Sequence, residues 1–298
     1  MEIEVNNGGS RIDSYLSLEL DISRSKIQKL IKQGKITVNG ESVSSSYTVK
    51  TGDNVFIDDE LDFDIKVEPE IIDIDVLYED EYLLIVNKKS GMVVHPAPGH
   101  YTGTLVNALL YRFNKGTTTN IRPGIVHRID KDTSGVMVVA KDDKTLELLS
   151  DMIKKKEIKR TYLAVVDGII PHLTGTIDAP IGRDVNNREK MAVTDINSKD
   201  AITHFTVLKR FENTKQTLIE CKLDTGRTHQ IRVHMAYIGY PIYNDPVYGN
   251  EKKPTSFGQF LHSKEISFIH PITKKEIDIS CDLPKEFKDY IDEIDIQK

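Results

Sequence analysis

Cysteine is scarce in this chain. Cys221 and Cys281 are the only two among 298 residues, too few for a disulfide framework or a zinc cage. Cys221 alternates with Ile219 and Leu223 at strand spacing, which predicts a core position. Long apolar runs are also missing: the longest, such as Val136-Met137-Val138-Val139-Ala140, are strand-sized and cannot span a bilayer. The opening MEIEVNNGGS has neither the basic nor the apolar region of a secretory leader, so a reduced, cytoplasmic chain with no membrane partner is expected. No HExxH motif occurs, and His229 and His234 stand five apart instead of the i, i+4 that puts two ligands on one helix face, so no metal site is expected. There is no surplus of positive charge: 40 Lys+Arg against 46 Asp+Glu leave a net charge of −6. That balance excludes a uniformly basic nucleic-acid coat but not local basic patches, because a partner feels the nearby field.

What is present is ordinary folded-protein composition, 39% hydrophobic and 29% charged, with chain enough for two unequal domains and no internal repeat. Residues 11 to 57 read as a small unit. Ser23 can cap a helix running to about Gln33, with Gly34 placed to take a positive φ after it. Ile27, Leu30 and Ile31 fall on one arc of that helix, while Arg24, Lys26, Lys29 and Lys32 cover the rest. Ser23 to Lys35 holds five basic residues and no acid, which suits either a solvated face or a helix laid against phosphates. Ile36-Thr37-Val38 running into Asn39-Gly40 is a hairpin signal. From 58 to 81 there are twelve acids and one lysine, which reads as a linker repelled by RNA. The expected domains are thus 1–65, an acidic linker over 66–80, and 81–298.

The remainder predicts an α/β mixture. Strands are expected at 83–87, 135–140, 162–166 and 217–223. Helices are expected around Leu105–Phe113, around Leu146–Ile153 with a cap near Asp142, and after Pro284 with Phe287, Tyr290 and Ile291 on one side.

Three segments hold more reactive residues than packing requires. Gly124 to Gly135 is a polar loop between apolar runs, with Asp130 and Asp132 two apart and Arg128 two before Asp130. A plain turn, with Asp and Ser satisfying backbone donors, explains that spacing equally well. Leu223 to His234 leaves a strand through Gly226 and gathers Arg227, His229, Arg232 and His234; its guanidinium groups suit phosphate or carboxylate. Lys154 to Tyr162 is a basic cluster delivering a tyrosine into a strand, where the lysines fit a solvated helix end and Tyr162 a half-buried aromatic. These features suggest an acidic catalytic group among arginines and name no reaction.

The residues themselves go further. Gly124-Ile-Val-His127-Arg128-Ile129-Asp130-Lys131-Asp132-Thr133-Ser134-Gly135 resembles the HRLDxxTSG signature of the RluA/RluD family of RNA pseudouridine synthases. Glu79-Asp80 with Leu84 to Lys88 and Gly91 to Pro96 is similar to the family's first motif, Lys159 to Val166 to its tyrosine motif, and Leu223 to His234 to its LxTGRTHQIRVH motif. Leu261-His262 through His270-Pro271 is similar to its closing segment. Residues 11 to about 57 resemble the αL RNA-binding module named after ribosomal small-subunit protein four. Ile129 replaces the usual leucine, keeping bulk and apolarity. Lys89-Ser90 stands where many members carry a proline, which is expected to loosen that turn without touching the chemistry.

The resemblance implies an α/β (α+β) catalytic domain with a mixed, largely antiparallel sheet behind a small αL RNA-binding domain. It implies cofactor-free isomerisation of uridine to pseudouridine, with large-subunit ribosomal RNA as the partner, in a monomer needing no other protein. Asp130 matches the essential aspartate, nucleophile or base toward the ribose. Arg232 matches the arginine that pairs with that carboxylate and would keep it ionised in a site that excludes water. Tyr162 matches the tyrosine against the uracil, a base for the displaced ring proton. Arg128 matches the residue inserted where the flipped nucleotide left its stack. Arg227, His229 and the basic helix (Arg24, Lys26, Lys29, Lys32) complete the expected RNA contacts, and Asp132 is expected to accept backbone hydrogen bonds.

Two rivals remain at this level. Asp130-Lys131-Asp132-Thr133 fits the DxDxT pattern of magnesium-dependent haloacid-dehalogenase-type phosphatases, although His127-Arg128 interrupt the apolar strand that motif needs. A non-catalytic RNA-binding or ribosome-assembly factor is the other.

Overall fold

The hairpin signal at Asn39-Gly40 and the amphipathic arc before it organise the first part of the chain. The computed structural model describes residues 2–5, 8–19, 24–58, 67–96, 101–114, 124–185, 187, 190–249 and 257–296. They divide into two units, Met1–Asp64 and Ile65–Lys298. The first contains β1 (Glu2–Glu4), α1 (Ile12–Glu19), α2 (Arg24–Lys32), β2 (Ile36–Val38), β3 (Glu41–Ser42) and β4 (Asn54–Ile57), with sheet order β1-β4-β2-β3. Ile27, Leu30 and Ile31 of α2 are buried as their arc predicts. Gly34 ends that helix at φ 71°, and Asn39 and Gly40 turn β2 into β3 at φ 53° and 82°, values that favour these residue types. The expected cap at Ser23 lies outside the described residues.

Asp13 is the polar centre of this unit. It is fully buried and accepts hydrogen bonds from Arg11 Nη2 at 2.8 Å, Gln28 Nε2 at 2.6 Å and Arg24 Nη2 at 3.2 Å. Arg11 above all, against the cost of burial, holds its carboxyl well below the usual range. Arg24 is thus tethered to an acid, although its side chain, like those of Lys29 and Lys32, is exposed.

The second unit contains β5 (Asp75–Glu79), β6 (Leu83–Lys88), α3 (Leu105–Arg112), β7 (Ser134–Ala140), α4 (Asp143–Lys154), β8 (Lys159–Asp167), β9 (Thr174–Asp178) and β10 (Ile181–Arg183). It continues with β11 (Met191–Val193), β12 (Ile202–Phe211), β13 (Gln216–Leu223), α5 (Gln230–Tyr237), β14 (Leu261–Ile269), β15 (Glu276–Ser280) and α6 (Lys285–Ile296). The main sheet runs β5-β6-β7-β14-β8-β13-β12-β9, with β15 beside β14. Its described pairs are antiparallel except β7 with β14, so the sheet is mixed and largely antiparallel, as the family resemblance implies. β5 corrects the linker reading: residues 75–79 pair with β6 as an edge strand. Counting acids hid the strand, because Asp75 and Glu79 are its exposed positions, and charge on an edge strand discourages further pairing.

β7 is buried at every position. Met137 and Val139 join one core with Leu105 and Leu109 of α3 and Ile231 and Met235 of α5. Val136, Val138 and Ala140 join a second core with Leu149 of α4. Asp142 caps α4 by accepting from Thr145 N at 2.8 Å. Phe287 of α6, with half-buried Tyr290 and Ile291, covers Val165 and Phe260. Cys221 is a buried core residue.

Candidate active site

The alternation His127 in, Arg128 out, Ile129 in is local strand-like geometry just before β7. Ile129 is inserted into the core, and Asp130 emerges half-buried beside it. The loop after Asp130 is fixed through its backbone. Thr133 N donates to Asp130 O at 3.1 Å, and Gln259 Nε2 to Thr133 Oγ1 at 3.0 Å. Lys88, 2% exposed, donates to Lys131 O, Met92 O and Lys89 O at 2.8, 2.8 and 2.9 Å, so an ammonium there has all three hydrogens placed. Burial pushes this amine down to about 7, against the pull of Asp132 and Asp130. Ser90 Oγ lies 2.9 Å from Asp132 O and 2.7 Å from Phe257 O. The serine therefore ties the turn to the loop, opposite to the loosening expected of it. Asp132 is also corrected: its carbonyl, not its carboxylate, is the engaged group, and the carboxylate accepts no hydrogen bond among the described residues.

Asp130 Oδ2 accepts from Arg232 Nη1 at 2.9 Å, which joins residues 102 positions apart. Arg232 is 4% exposed and held from its other edge by Asp245: Nε reaches Oδ2 at 2.6 Å and Nη2 reaches Oδ1 at 2.8 Å. Burial alone would raise the Asp245 carboxyl, but Arg232 and the N–H groups of Val247 and Tyr248 outweigh it and hold it low. The guanidinium of Arg232 is correspondingly raised by its two acids, against burial. The Tyr248 ring lies under it, 5.1 Å from Cζ.

His229 starts α5 in the left-handed region, φ 58°, with no capping bond. Its Nδ1 meets Tyr248 OH at 2.8 Å, and that hydroxyl also accepts from Met191 N at 2.9 Å. With Tyr248 donating to Nδ1, the His229 proton sits on Nε2, 3.9 Å from Asp130 Oδ1. Burial lowers this imidazole against the attraction of Asp130, so at neutral pH the contact is between a dipole and a charge. His234, by contrast, is a core residue, with Nδ1 on Thr203 Oγ1 and Nε2 on Ala179 O, both at 2.9 Å.

Around Asp130 opens a cleft of about 560 Å³, walled by Arg128, Tyr162, Arg227, His229 and Arg232 among others. Tyr162 is 4% exposed, and burial raises its phenol, so at rest it holds its proton. Arg128 is exposed at the rim, and Arg227 Nε donates to Asp200 O at 2.8 Å. A second, wider groove of about 1220 Å³ adjoins it, sharing Arg128, Arg160, Gly226 and Arg227 and adding Lys154 and Lys156. The structure thus brings Asp130, Tyr162, Arg128, Arg227, His229 and Arg232 to one cleft. Arg24, Lys26, Lys29 and Lys32 lie in the other unit. Sequence reasoning missed Asp245, Tyr248 and the burial of Arg160. Asp245-Pro246 reads as a turn, and its role exists only through a tertiary contact.

The profile of the family described as RNA pseudouridylate synthase matches residues 82–237, and that of the S4 domain matches residues 10–55. "Uncharacterized RNA pseudouridine synthase YlyB" of Bacillus subtilis (strain 168) is 48% identical over 289 residues, spanning 95% of this chain and 94% of that protein. "Ribosomal large subunit pseudouridine synthase D" of Zymomonas mobilis is 43% identical, over 94% of this chain and 92% of that protein. Among solved structures, "Human RNA Pseudouridylate Synthase Domain Containing 1" shares the fold, with a TM-score of 0.58 over 76% of this chain and 97% of that one at 22% identity. With an S4 domain at residues 10–55 and this match over residues 82–237, the chain is an enzyme that isomerises uridine in RNA, a member of the RNA pseudouridylate synthase family.

Proposed function

We propose that this enzyme converts uridines of large-subunit ribosomal RNA to pseudouridine through Asp130, after flipping the target nucleotide into the cleft. The observation that carries the reading is the placement of Asp130. Its Oδ2 is held by Arg232 at 2.9 Å, while its carboxylate lines a cleft with Tyr162 on the wall. The N-glycosidic bond breaks, the uracil turns, and its ring carbon five bonds to the same ribose carbon while giving up its proton. Asp130 acts on the ribose as nucleophile or base. Tyr162 packs against the uracil; because it rests protonated, it takes the ring proton only as its own passes to the ring nitrogen released from the ribose, which carries a hydrogen in the product.

Arg128, exposed at the rim shared by both cavities, is suited to stack where the uridine leaves, offsetting a few kcal/mol of unstacking. Lys29 and Lys32 offer exposed charge to RNA phosphates from α2. The ribosomal substrate is supported by the name of the Zymomonas relative, whose match spans both domains. The phosphatase reading loses its basis, since Asp130 lies in a loop that precedes β7 rather than at the end of an apolar strand.

The test is mapping of pseudouridine in ribosomal RNA from cells with and without the gene, together with the purified enzyme on large-subunit transcripts. Asp130→Asn is expected to lower product formation by at least ~10³-fold with RNA affinity nearly unchanged. Product at the wild-type rate would remove Asp130 from the mechanism.

A further inference from the structure

Arg160 sits in β8, two residues before Tyr162 and on the same face, roughly 7 Å along the strand. It belongs to the basic cluster that begins at Lys154, yet it is 8% exposed. Its Nε is sealed from water with no acceptor, and the guanidinium makes no hydrogen bond or ion pair among the described residues. The nearby acids are engaged elsewhere: Asp130 with Arg232 at 2.9 Å, Asp224 with Lys156 at 3.3 Å. A buried, unpaired charge is costly, and a fold that retains one leaves room for a ligand that compensates it.

The room is there. Arg160 lines both the catalytic cleft and the wider groove. The segment facing it is Gly226, where an added Cβ would stand 3.3 Å from Arg160 Nη1, so glycine keeps this side of the guanidinium open. His127, on the same wall, accepts from Val138 N at 3.1 Å through Nε2, which leaves Nδ1 carrying an unbonded proton. The remaining cations of the groove, Arg128, Lys154, Lys156 and Arg227, suit a polyanion.

We propose that Arg160, buried without an acceptor between the catalytic cleft and the basic groove, receives the RNA phosphodiester adjoining the flipped nucleotide. The inference rests on the uridine reading of the cleft: the one anionic group a nucleotide of RNA carries into such a site is its phosphate. Guanidinium matches it by paired, directional hydrogen bonds. Anchored there, the backbone would fix how far the base reaches toward Tyr162.

The full-length chain tests this with Arg160→Met, Arg160→Gln and Arg160→Lys, read by the salt dependence of binding to a large-subunit ribosomal RNA transcript. Neutralising Arg160 is expected to make the slope of log K against log salt shallower by about 0.7–0.9, the share of one phosphate. KM should rise several-fold and kcat fall as the base is placed less well, and Arg160→Lys should restore the slope. Arg160→Met, which removes an unpaired buried charge, is expected to leave the melting temperature unchanged or higher; if it does not fold, Arg160→Gln gives the same reading. Inorganic phosphate should raise the melting temperature of the wild-type chain more than that of Arg160→Met at matched ionic strength. An unchanged RNA slope overturns the proposal, even if inorganic phosphate still binds, because the site would then take a free anion and not the RNA backbone. The slope is a binding measurement, so absence of pseudouridine from wild-type enzyme would fell the catalytic reading alone.

Discussion

Arg232 faces more negative charge than it can neutralise. Asp245 takes two of its hydrogen bonds and Asp130 one, leaving the trio with one net negative charge. The division sets the geometry: the fully buried acid fixes the plane of the guanidinium, and the acid in the cleft is held by a single Nη1–H. Asp245→Asn should therefore cost about 3 kcal/mol of stability, as expected when a buried pair loses one partner, and lower activity by letting Arg232 turn. A denaturant midpoint and a single-turnover rate check both; a stable, fully active variant would show that Asp130 needs no such support. None of this pairing is readable from residues 223 to 234 alone. Arg232 stands out in the sequence through its motif, whereas Asp245 looks like the start of a turn until the chain is folded.

At the level of elements, the parallel pair of β7 and β14 positions the loop that carries Asp130, because β7 begins at Ser134, four residues after Asp130. Gly135 sits there with φ 112°, and a Cβ would meet Ser263 O at 2.1 Å. Gly135→Ala must push β14 away while adopting a conformation strained for alanine. The expected loss is about 3 kcal/mol or more, with activity falling alongside, measurable by chemical denaturation of the soluble fraction. Elements with local signals were legible in advance: α2 through its apolar arc, the β2–β3 turn through Asn39-Gly40, α4 through Asp142. Elements hidden by a stronger compositional signal were not. Acids concealed β5, and the lysines before Arg160 concealed that β8 turns this one cation inward.

Across the whole molecule, buried neutral imidazoles set the acid limit of stability. Burial pushes His127 down to about 3, helped by Arg160, and His262 down to about 4. From about pH 6.5 down to pH 4 the unfolded chain binds these protons and the folded chain does not. Stability therefore rises with pH across that window and falls as pH drops through it, by up to about 1.4 kcal/mol per pH unit for each group. Denaturant midpoints between pH 7 and 5 should follow this slope, and His262→Asn should remove one group's share. An unaltered slope in that variant would mean that His262 titrates normally. Below this window the depressed carboxyls of Asp13 and Asp245 add their own loss.

The contacts of Ser90 with Phe257 O, of Gln259 with Thr133, and of β14 with β7 all brace the loop that carries Asp130 from residues made more than 120 positions after it. On a ribosome, Asp130 emerges first and Arg232 about a hundred residues later, yet the scaffold behind them is missing until β14 has left the exit tunnel. The loop that carries Asp130 can thus be braced only after chain more than 120 positions downstream has been made, so its geometry is a late product of folding whatever forms before it.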